Sequence, residues 1–364
     1  MKIDLIAGAR PNFMKIAPII DAIHNAQKVG EKINYRLIHT GQHYDKNMSD
    51  SFFEQLGIPE PNVNLGAGGG TQAEQTASIM IGYEKLLISA RPNLCLVVGD
   101  VTSTMACSIV AQKFQVNVAH VEAGIRSGDW TMPEEINRLV TDSISNYFFT
   151  TTTEAGLNLI NSGISGERIY LVGNTMIDTL LKHRPRFHKP IIWDKLNLSK
   201  GEYMVMTLHR PGNVDEEGKL KLLINEIIKH SNGLPIIFPV HPRTAKILQS
   251  IGIEHNRLYT IEPLGYLEFN FLVENAKAVI TDSGGITEET TVMGIPCITL
   301  RDNTERPETV SLGTNELIGT NPNAIKPAME KLFSGNWKKG SIPEFWDGKS
   351  AERIVSNLLK IFNC

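Results

Sequence analysis

Short apolar runs alternate with amphipathic stretches from the third residue onward, and this rhythm limits the fold more than any single motif does. Ile3 to Ala7 reads as a strand, Gly8-Ala9-Arg10-Pro11-Asn12 as a loop, and Phe13 to Ala26 as an amphipathic helix. Further strands are expected at Asn34 to Thr40, Leu94 to Val98, Val116 to Val121 and Tyr147 to Thr150. Helices are expected near Asn47 to Leu56 and Gln72 to Ser89, and between the later strands. Leu94 to Val98 is apolar throughout, as in a parallel strand covered on both faces. Such alternation predicts an open parallel sheet with right-handed crossovers. The rhythm breaks after a helix near Thr175 to His183, at Arg184-Pro185-Arg186-Phe187-His188-Lys189-Pro190, which reads as a linker or an exposed crossing. It restarts with strands at Tyr203 to Thr207, Pro235 to Pro239, Arg257 to Ile261, Ala278 to Thr281 and Cys297 to Leu300. Helices are expected near Glu216 to His230, Arg243 to Ile251, Tyr266 to Asn275 and Gly285 to Met293. The expected fold class is therefore α/β, with two Rossmann-like domains facing across a cleft. They span residues 1–183 and 184–350, and a last helix, Ala351 to Phe362, can pack back on the first domain.

A length of 364 residues accommodates two domains, and 41% hydrophobic content supplies their cores. The net charge of −3 provides no general basic field for nucleic acid or a membrane surface. The four cysteines, Cys95, Cys107, Cys297 and Cys364, form no CxxC pair and read as reduced thiols of a cytoplasmic protein. No metal-ligand spacing is visible. A strand begins within three residues of the N-terminus, which leaves no room for a signal peptide, and no apolar run is long enough to span a membrane.

In open parallel sheets ligands bind beyond the carboxyl ends of the strands, so polar residues just after the expected strands are the ones to weigh. Thr281-Asp282-Ser283-Gly284-Gly285-Ile286-Thr287-Glu288-Glu289 is a strand end, a turn with two glycines and a helix start. Ser283, Gly284 and Gly285 there suit a phosphate, and Glu288 and Glu289 suit ribose hydroxyls; an ordinary strand-to-helix turn has the same look. After the first strand, Arg10 and Lys15 either hold an anionic group or lie in solvent. Asp100 follows a strand directly, and it serves equally as a helix N-cap. His120 and Glu122 share one face of their strand, and Glu134 opens a helix behind Pro133. Three acids at successive openings of one sheet edge suit acid and base roles, because clustered carboxylates push one another's pKa values apart. In the second half, His209-Arg210 and His241-Pro242-Arg243 follow adjacent strands. Arg306 and Glu308 lie after the last strand, within reach of a ligand at the glycine turn. No Walker motif is present, and no GxGxxG follows the first strand. The residues alone indicate a phosphorylated, nucleotide-linked ligand held by the second domain and acted on by acids of the first.

The set Gly8-Ala9-Arg10-Pro11, Gly99-Asp100, His120-Val121-Glu122-Ala123-Gly124-Ile125-Arg126, Pro133-Glu134-Glu135-Ile136-Asn137-Arg138, Gly173-Asn174-Thr175-Met176-Ile177-Asp178, His209-Arg210, Thr281-Asp282-Ser283-Gly284-Gly285-Ile286 and Arg301-Asp302-Asn303-Thr304-Glu305-Arg306-Pro307-Glu308 resembles the non-hydrolysing UDP-N-acetylglucosamine 2-epimerases, in order over nearly the whole chain. The resemblance implies a glycosyltransferase-B-type fold and a homodimer. It implies interconversion of UDP-N-acetylglucosamine and UDP-N-acetylmannosamine for surface-polysaccharide precursors, by elimination of UDP to a 2-acetamidoglucal and its return, with no cofactor. By position it makes Asp100, Glu122 and Glu134 the catalytic acids and His209 the catalytic histidine. It gives Arg10, Ser283 and Gly284 to the phosphates and Glu289 to the ribose, and puts Lys15 near the reacting sugar. Two departures stand out. The family's usual Arg-Pro-Glu reads Arg10-Pro11-Asn12 here, and Gln42-His43 is followed by Tyr44. The sugar is open as well, since relatives act on UDP-linked diacetamido-uronic acids. A glycosyltransferase of the same fold, a hydrolysing epimerase and a UDP-sugar sensor are the competing readings. A sensor has no use for three acids.

Overall fold

A computed structural model of the chain describes residues 1–41, 55–240 and 242–363, without the side chains of Arg10, Pro211, Pro242 and Arg243. His241, Gln42-His43-Tyr44 and most of the helix expected near Asn47 to Leu56 therefore lie outside the described residues. So do the side chains of Arg10 and Arg243.

The described chain forms two compact units, Met1–Lys182 with Glu344–Cys364, and His183–Pro343. The first contains seven parallel strands, β1 (Lys2–Ala7), β2 (Asn34–His39), β3 (Val63–Asn64), β4 (Leu94–Val98), β5 (Asn117–Val121), β6 (Tyr147–Thr150) and β7 (Ile169–Leu171). Their order in the sheet is β3-β2-β1-β4-β5-β6-β7. The second contains β8 (Met204–Thr207), β9 (Ile236–Pro239), β10 (Leu258–Ile261), β11 (Ala278–Thr281), β12 (Cys297–Thr299) and β13 (Asn315–Leu317), also parallel, in the order β10-β9-β8-β11-β12-β13. Both sheets thus reverse direction next to their first strand, between β1 and β4 and between β8 and β11. That switch point is where α/β sheets bind ligands.

The apolar runs follow from cover on both faces. In the second unit Met204, Met206, Ile236, Phe238, Ala278 and Ile280 belong to one core, while Tyr203, Val205, Ile237 and Val279 belong to the other. Period two sends alternate side chains to opposite faces, so a strand buried on both must be apolar at every position.

The sequence assigns residues 344–350 to the second domain, whereas the structure joins them to the first unit. Trp346 is buried and donates its indole N–H to the Thr151 carbonyl at 3.2 Å. The Asp178 carboxylate accepts the N–H groups of Ser350 (3.1 Å) and Ala351 (2.7 Å) at the start of the last helix, Ser350–Ile361. Gly173 permits this crossing, because a Cβ there would lie 2.0 Å from the Phe345 carbonyl oxygen. Among the described residues no helix is long and apolar enough to cross a membrane, and no His, Cys, Asp and Glu group could hold a metal ion.

Candidate active site

At the carboxyl edge of the first sheet, the loop after β1 is tied to the end of β4 by Asn12. Its Oδ1 accepts the N–H groups of Gly8 (3.1 Å) and Ala9 (2.9 Å), and its Nδ2 donates to the Val98 carbonyl at 2.9 Å. A glutamate, acceptor-only when ionised, cannot make the last bond. The residue that departs from the family pattern is therefore the one that closes the switch point.

Glu122 follows β5 in the left-handed region, at φ 68°. A non-glycine residue there costs on the order of 1–3 kcal/mol and persists only where the surroundings impose it. One constraint is Gly124 two residues on, where a Cβ would stand 2.1 Å from the Ala155 carbonyl oxygen. The other is Lys15, whose ammonium lies 2.6 Å from Glu122 Oε2. Lys15 and Glu122 are thus brought together, so this lysine faces a carboxylate of its own unit.

Asp100 follows β4 and is held by the helix Pro133–Ile144. Arg138 donates to Asp100 Oδ2, and Asn137 Nδ2 donates to the Asp100 carbonyl at 2.8 Å. Arg138 also reaches Glu135 Oε2 at 3.0 Å. Burial alone would raise the Glu135 pKa. The N–H and hydroxyl of Ser127, the N–H of Gly128 and Arg138 outweigh it and hold this carboxyl below its usual range. Glu134, one turn before Arg138, is half-buried and makes no side-chain hydrogen bond or ion pair among the described residues. Asp100 and Glu134 are therefore set by one helix, and Glu122 by the neighbouring strand end.

In the second unit His209 follows β8 and Asp282 follows β11, on the two sides of the switch point. The fully buried Asp282 carboxylate accepts the N–H groups of His209 (3.1 Å) and Arg210 (3.0 Å) and Nδ2 of Asn213 (3.1 Å). It lies 2.8 Å from His209 Nδ1. Burial pushes Asp282 up, but His209, the Arg210 N–H and Asn213 together leave its pKa below the usual carboxylate value. The His209 side chain is 60% exposed. A carboxylate on Nδ1 sets the tautomer and leaves Nε2 for a ligand. Asp282 is missing from the sequence-derived site residues, although its place at a strand end beside the glycine turn was the available signal.

Ser283 is the N-cap of the helix Gly284–Met293 and makes no side-chain cap bond. The first N–H groups of this helix have no partner within it and carry its positive dipole end. Arg301 and Glu305 flank the turn: a Cβ on Gly284 would lie 3.7 Å from Arg301 Nη1 and 3.4 Å from Glu305 Oε2. Arg210 Nη2 is 3.7 Å from Glu305 Oε1. The buried Nε of Arg301 has no hydrogen-bond partner among the described residues. Two guanidinium groups, both paired with Glu305, and a helix start form a candidate anion site, and Arg301 joins it as a residue not singled out from the sequence. Within the helix, Glu288 is ion-paired with Arg306. Glu289 accepts a hydrogen bond from the Tyr266 hydroxyl at 2.9 Å. Burial pushes the Glu289 carboxyl up to about 7. Glu288 and Arg306, both expected at the ligand, thus engage each other, and the buried Glu289 engages Tyr266.

The model of the family described as UDP-N-acetylglucosamine 2-epimerase matches residues 25–359. A UDP-N-acetylglucosamine 2-epimerase of Methanocaldococcus jannaschii is 42% identical over 374 residues, 98% of either chain. A UDP-2,3-diacetamido-2,3-dideoxy-D-glucuronate 2-epimerase of Pseudomonas aeruginosa is 38% identical over 99% of this chain and all of its own (100%). The crystal structure of the M. jannaschii enzyme in complex with UDP-GlcNAc and UDP superposes with a TM-score of 0.88, covering 99% of this chain and 100% of that one. The chain belongs to the UDP-N-acetylglucosamine 2-epimerase family, a family of isomerases, and has its glycosyltransferase-B-type fold.

Proposed function

We propose that the protein interconverts UDP-N-acetylglucosamine and UDP-N-acetylmannosamine by eliminating UDP and adding it back. The observation that carries this reading is the residue set itself. Family membership over nearly the whole length coincides with acids that follow β4 and β5 and open the next helix in the first unit, and with an aspartate-oriented histidine at the switch point of the second. A base removes the C2 proton while the C1–O bond to UDP breaks, leaving a 2-acetamidoglucal. UDP then re-forms that bond while a proton arrives at the opposite face of C2. The C2 proton is not acidic, so positive charge must build at C1 as UDP departs, and carboxylates stabilise it. Asp100, Glu122 and Glu134 handle charge and protons. Arg10, Arg210, Arg301 and the Ser283-Gly284-Gly285 helix start retain UDP, and His209 serves the departing diphosphate. His241 and Arg243 are assigned to the same ligand from their sequence positions alone. The free, buried thiols of Cys95, Cys107 and Cys297 support a reducing, cytoplasmic setting, and family resemblance supports a homodimer.

The test is incubation with UDP-N-acetylglucosamine in heavy water. Deuterium appears at C2 in a mixture of two UDP-sugars. Release of free UDP with sugar transfer to an acceptor would sink the reading. The 38% identity to the diacetamido-glucuronate epimerase favours one second reading, the same reaction on a uronic acid sugar. Exchange with that sugar and none with UDP-N-acetylglucosamine would establish it.

A pH dependence follows from Glu289. With its carboxyl raised from about 4.5 to about 7, the unfolded chain loses this proton first. Native stability from this group is full below the lower value and declines as pH rises through the upper one, by about 3 kcal/mol in all. Ribose hydroxyls donating to Glu289 favour its charged form. UDP binding near pH 6.5 should therefore release part of a proton, read by calorimetry in buffers of different ionisation enthalpy. Glu289→Gln should abolish the release, and a release unchanged in that variant removes Glu289 from the ribose.

A further inference from the structure

The helix Thr175–His183 holds two other segments of the first unit with consecutive residues. Asp178 accepts the N–H groups of Ser350 and Ala351, and the buried Thr179 donates its hydroxyl to the Met14 carbonyl at 2.5 Å. A helical threonine ordinarily bonds back to the carbonyl four residues earlier. Thr76 does so to Gln72 (2.6 Å), and Thr141 to Asn137 (2.7 Å). Thr179 instead serves a residue 165 positions away, in the helix Arg10–Lys28.

Pro18 supplies the reason. An α-helix pairs each carbonyl with the N–H four residues on, so the donor due to Met14 is residue 18. That residue is a proline inside the helix, with no N–H to give. A buried carbonyl deprived of its helical donor needs another, and the Thr179 hydroxyl provides it from the neighbouring helix. The proline that removes one helical bond and the threonine that turns away from its own helix are thus two halves of one contact.

That contact acts on a single peptide unit, because the Met14 carbonyl belongs to the peptide that joins Met14 to Lys15. The Lys15 ammonium lies 2.6 Å from Glu122 Oε2, and Glu122 stands in the left-handed region after β5. From Thr179 the connection runs through hydroxyl, peptide and lysine to the carboxylate, all within the first unit. Asp178, next to Thr179, anchors the same helix to the returning C-terminal helix, so the donor has a fixed base.

We propose that Thr179 is a positioning residue of the epimerisation centre: it replaces the helical donor that Pro18 lacks and so fixes the peptide from which Lys15 reaches Glu122. The role in turnover rests on the proposed function, because it acts through Glu122. The pairing of Thr179 with Pro18 does not. The test is a cycle of substitutions in the full-length protein. Thr179→Val keeps the shape and removes the donor. It should hold UDP affinity within about threefold while kcat falls roughly 10- to 100-fold, the scale of a slightly misplaced reacting group. Thr179→Ser keeps the hydroxyl and should stay within about threefold of the parent kcat. Pro18→Ala gives residue 18 an N–H, so adding Thr179→Val to it should change kcat by less than about twofold. Unchanged kcat in Thr179→Val overturns the proposal, as does Thr179→Ser being equally slow. An equal loss with Pro18 and with Pro18→Ala overturns it too. So does a parallel loss of UDP binding, which marks a general folding defect. If Thr179→Val alone does not fold, the double variant decides: folded with the kcat of Pro18→Ala it upholds the proposal, and unfolded or slowed it overturns it. Absence of C2 exchange in the parent refutes the epimerase reading, and melting temperatures still read the pairing. Thr179→Val should lower that of the parent by several degrees and that of Pro18→Ala far less. Equal shifts refute the pairing, so the two failures are distinguishable.

Discussion

Asp100→Asn is expected to lower kcat by roughly 10³-fold, within the range a positioned acid or base supplies, while UDP affinity changes by less than about threefold. Asparagine keeps the shape and can still accept from Arg138 through its oxygen, so the contact between β4 and the helix Pro133–Ile144 survives. What disappears is the capacity to take up a proton. Asp100 suits that task because only Oδ2 is bonded among the described residues, and its side chain is 26% exposed, whereas Glu135 beside it is fully engaged. Deuterium wash-in at C2 measures the chemical step, and calorimetry with UDP measures binding. Wash-in at the parent rate would take Asp100 out of the proton relay. Loss of UDP binding would recast it as a ligand contact.

The strands legible in the sequence are those whose surroundings leave one choice. Met204 to Thr207 and Ala278 to Thr281 are central strands, covered on both faces, and their composition says so. The strands that escaped notice, Val63–Asn64, Ile169–Leu171 and Asn315–Leu317, are two or three residues long and lie at sheet edges. Their positions are mostly half-exposed, so no apolar run marks them. The return of residues 344–350 to the first unit was hidden for a different reason. It depends on Asp178 and Gly173 meeting a segment more than 170 residues away, and no local period reports such a meeting.

The candidate site divides along the same line. Asp100, Glu122 and His209 could be read because parallel strands deliver their next residue to the carboxyl edge. Their partners could not, since Arg138 meets Asp100 across 38 positions and Asp282 meets His209 across 73. Such pairs are created by strand order: the pairing of β4 with β5 brings Asp100 to the helix that carries Arg138, and the sheet reversal at β8/β11 makes His209 and Asp282 neighbours. Asn12 illustrates the gain. From sequence it is a missing acid, and in the structure it is the amide that locks one reversal, as Asp282 locks the other.

Asp282→Asn should therefore have an effect out of proportion to one atom. The carboxylate receives donors at both oxygens: the N–H groups of His209 and Arg210, the Asn213 amide, and His209 Nδ1 at 2.8 Å. An asparagine offers one acceptor and one donor group, so either way round an N–H group confronts another N–H group in a fully buried place. Leaving buried donors unpaired costs on the order of 1–3 kcal/mol, which should lower the melting temperature by several degrees. His209 also loses the contact that sets its tautomer. A loss of kcat of roughly 10³–10⁴-fold is expected, the scale known for removing the aspartate behind a catalytic histidine. His209→Asn in the Asp282→Asn background should then add little, because the two residues act as a unit. Steady-state rates of the two single variants and the double variant give the answer. Losses that multiply across the double variant would show that His209 works without Asp282, and would return the aspartate to a purely structural place in the turn.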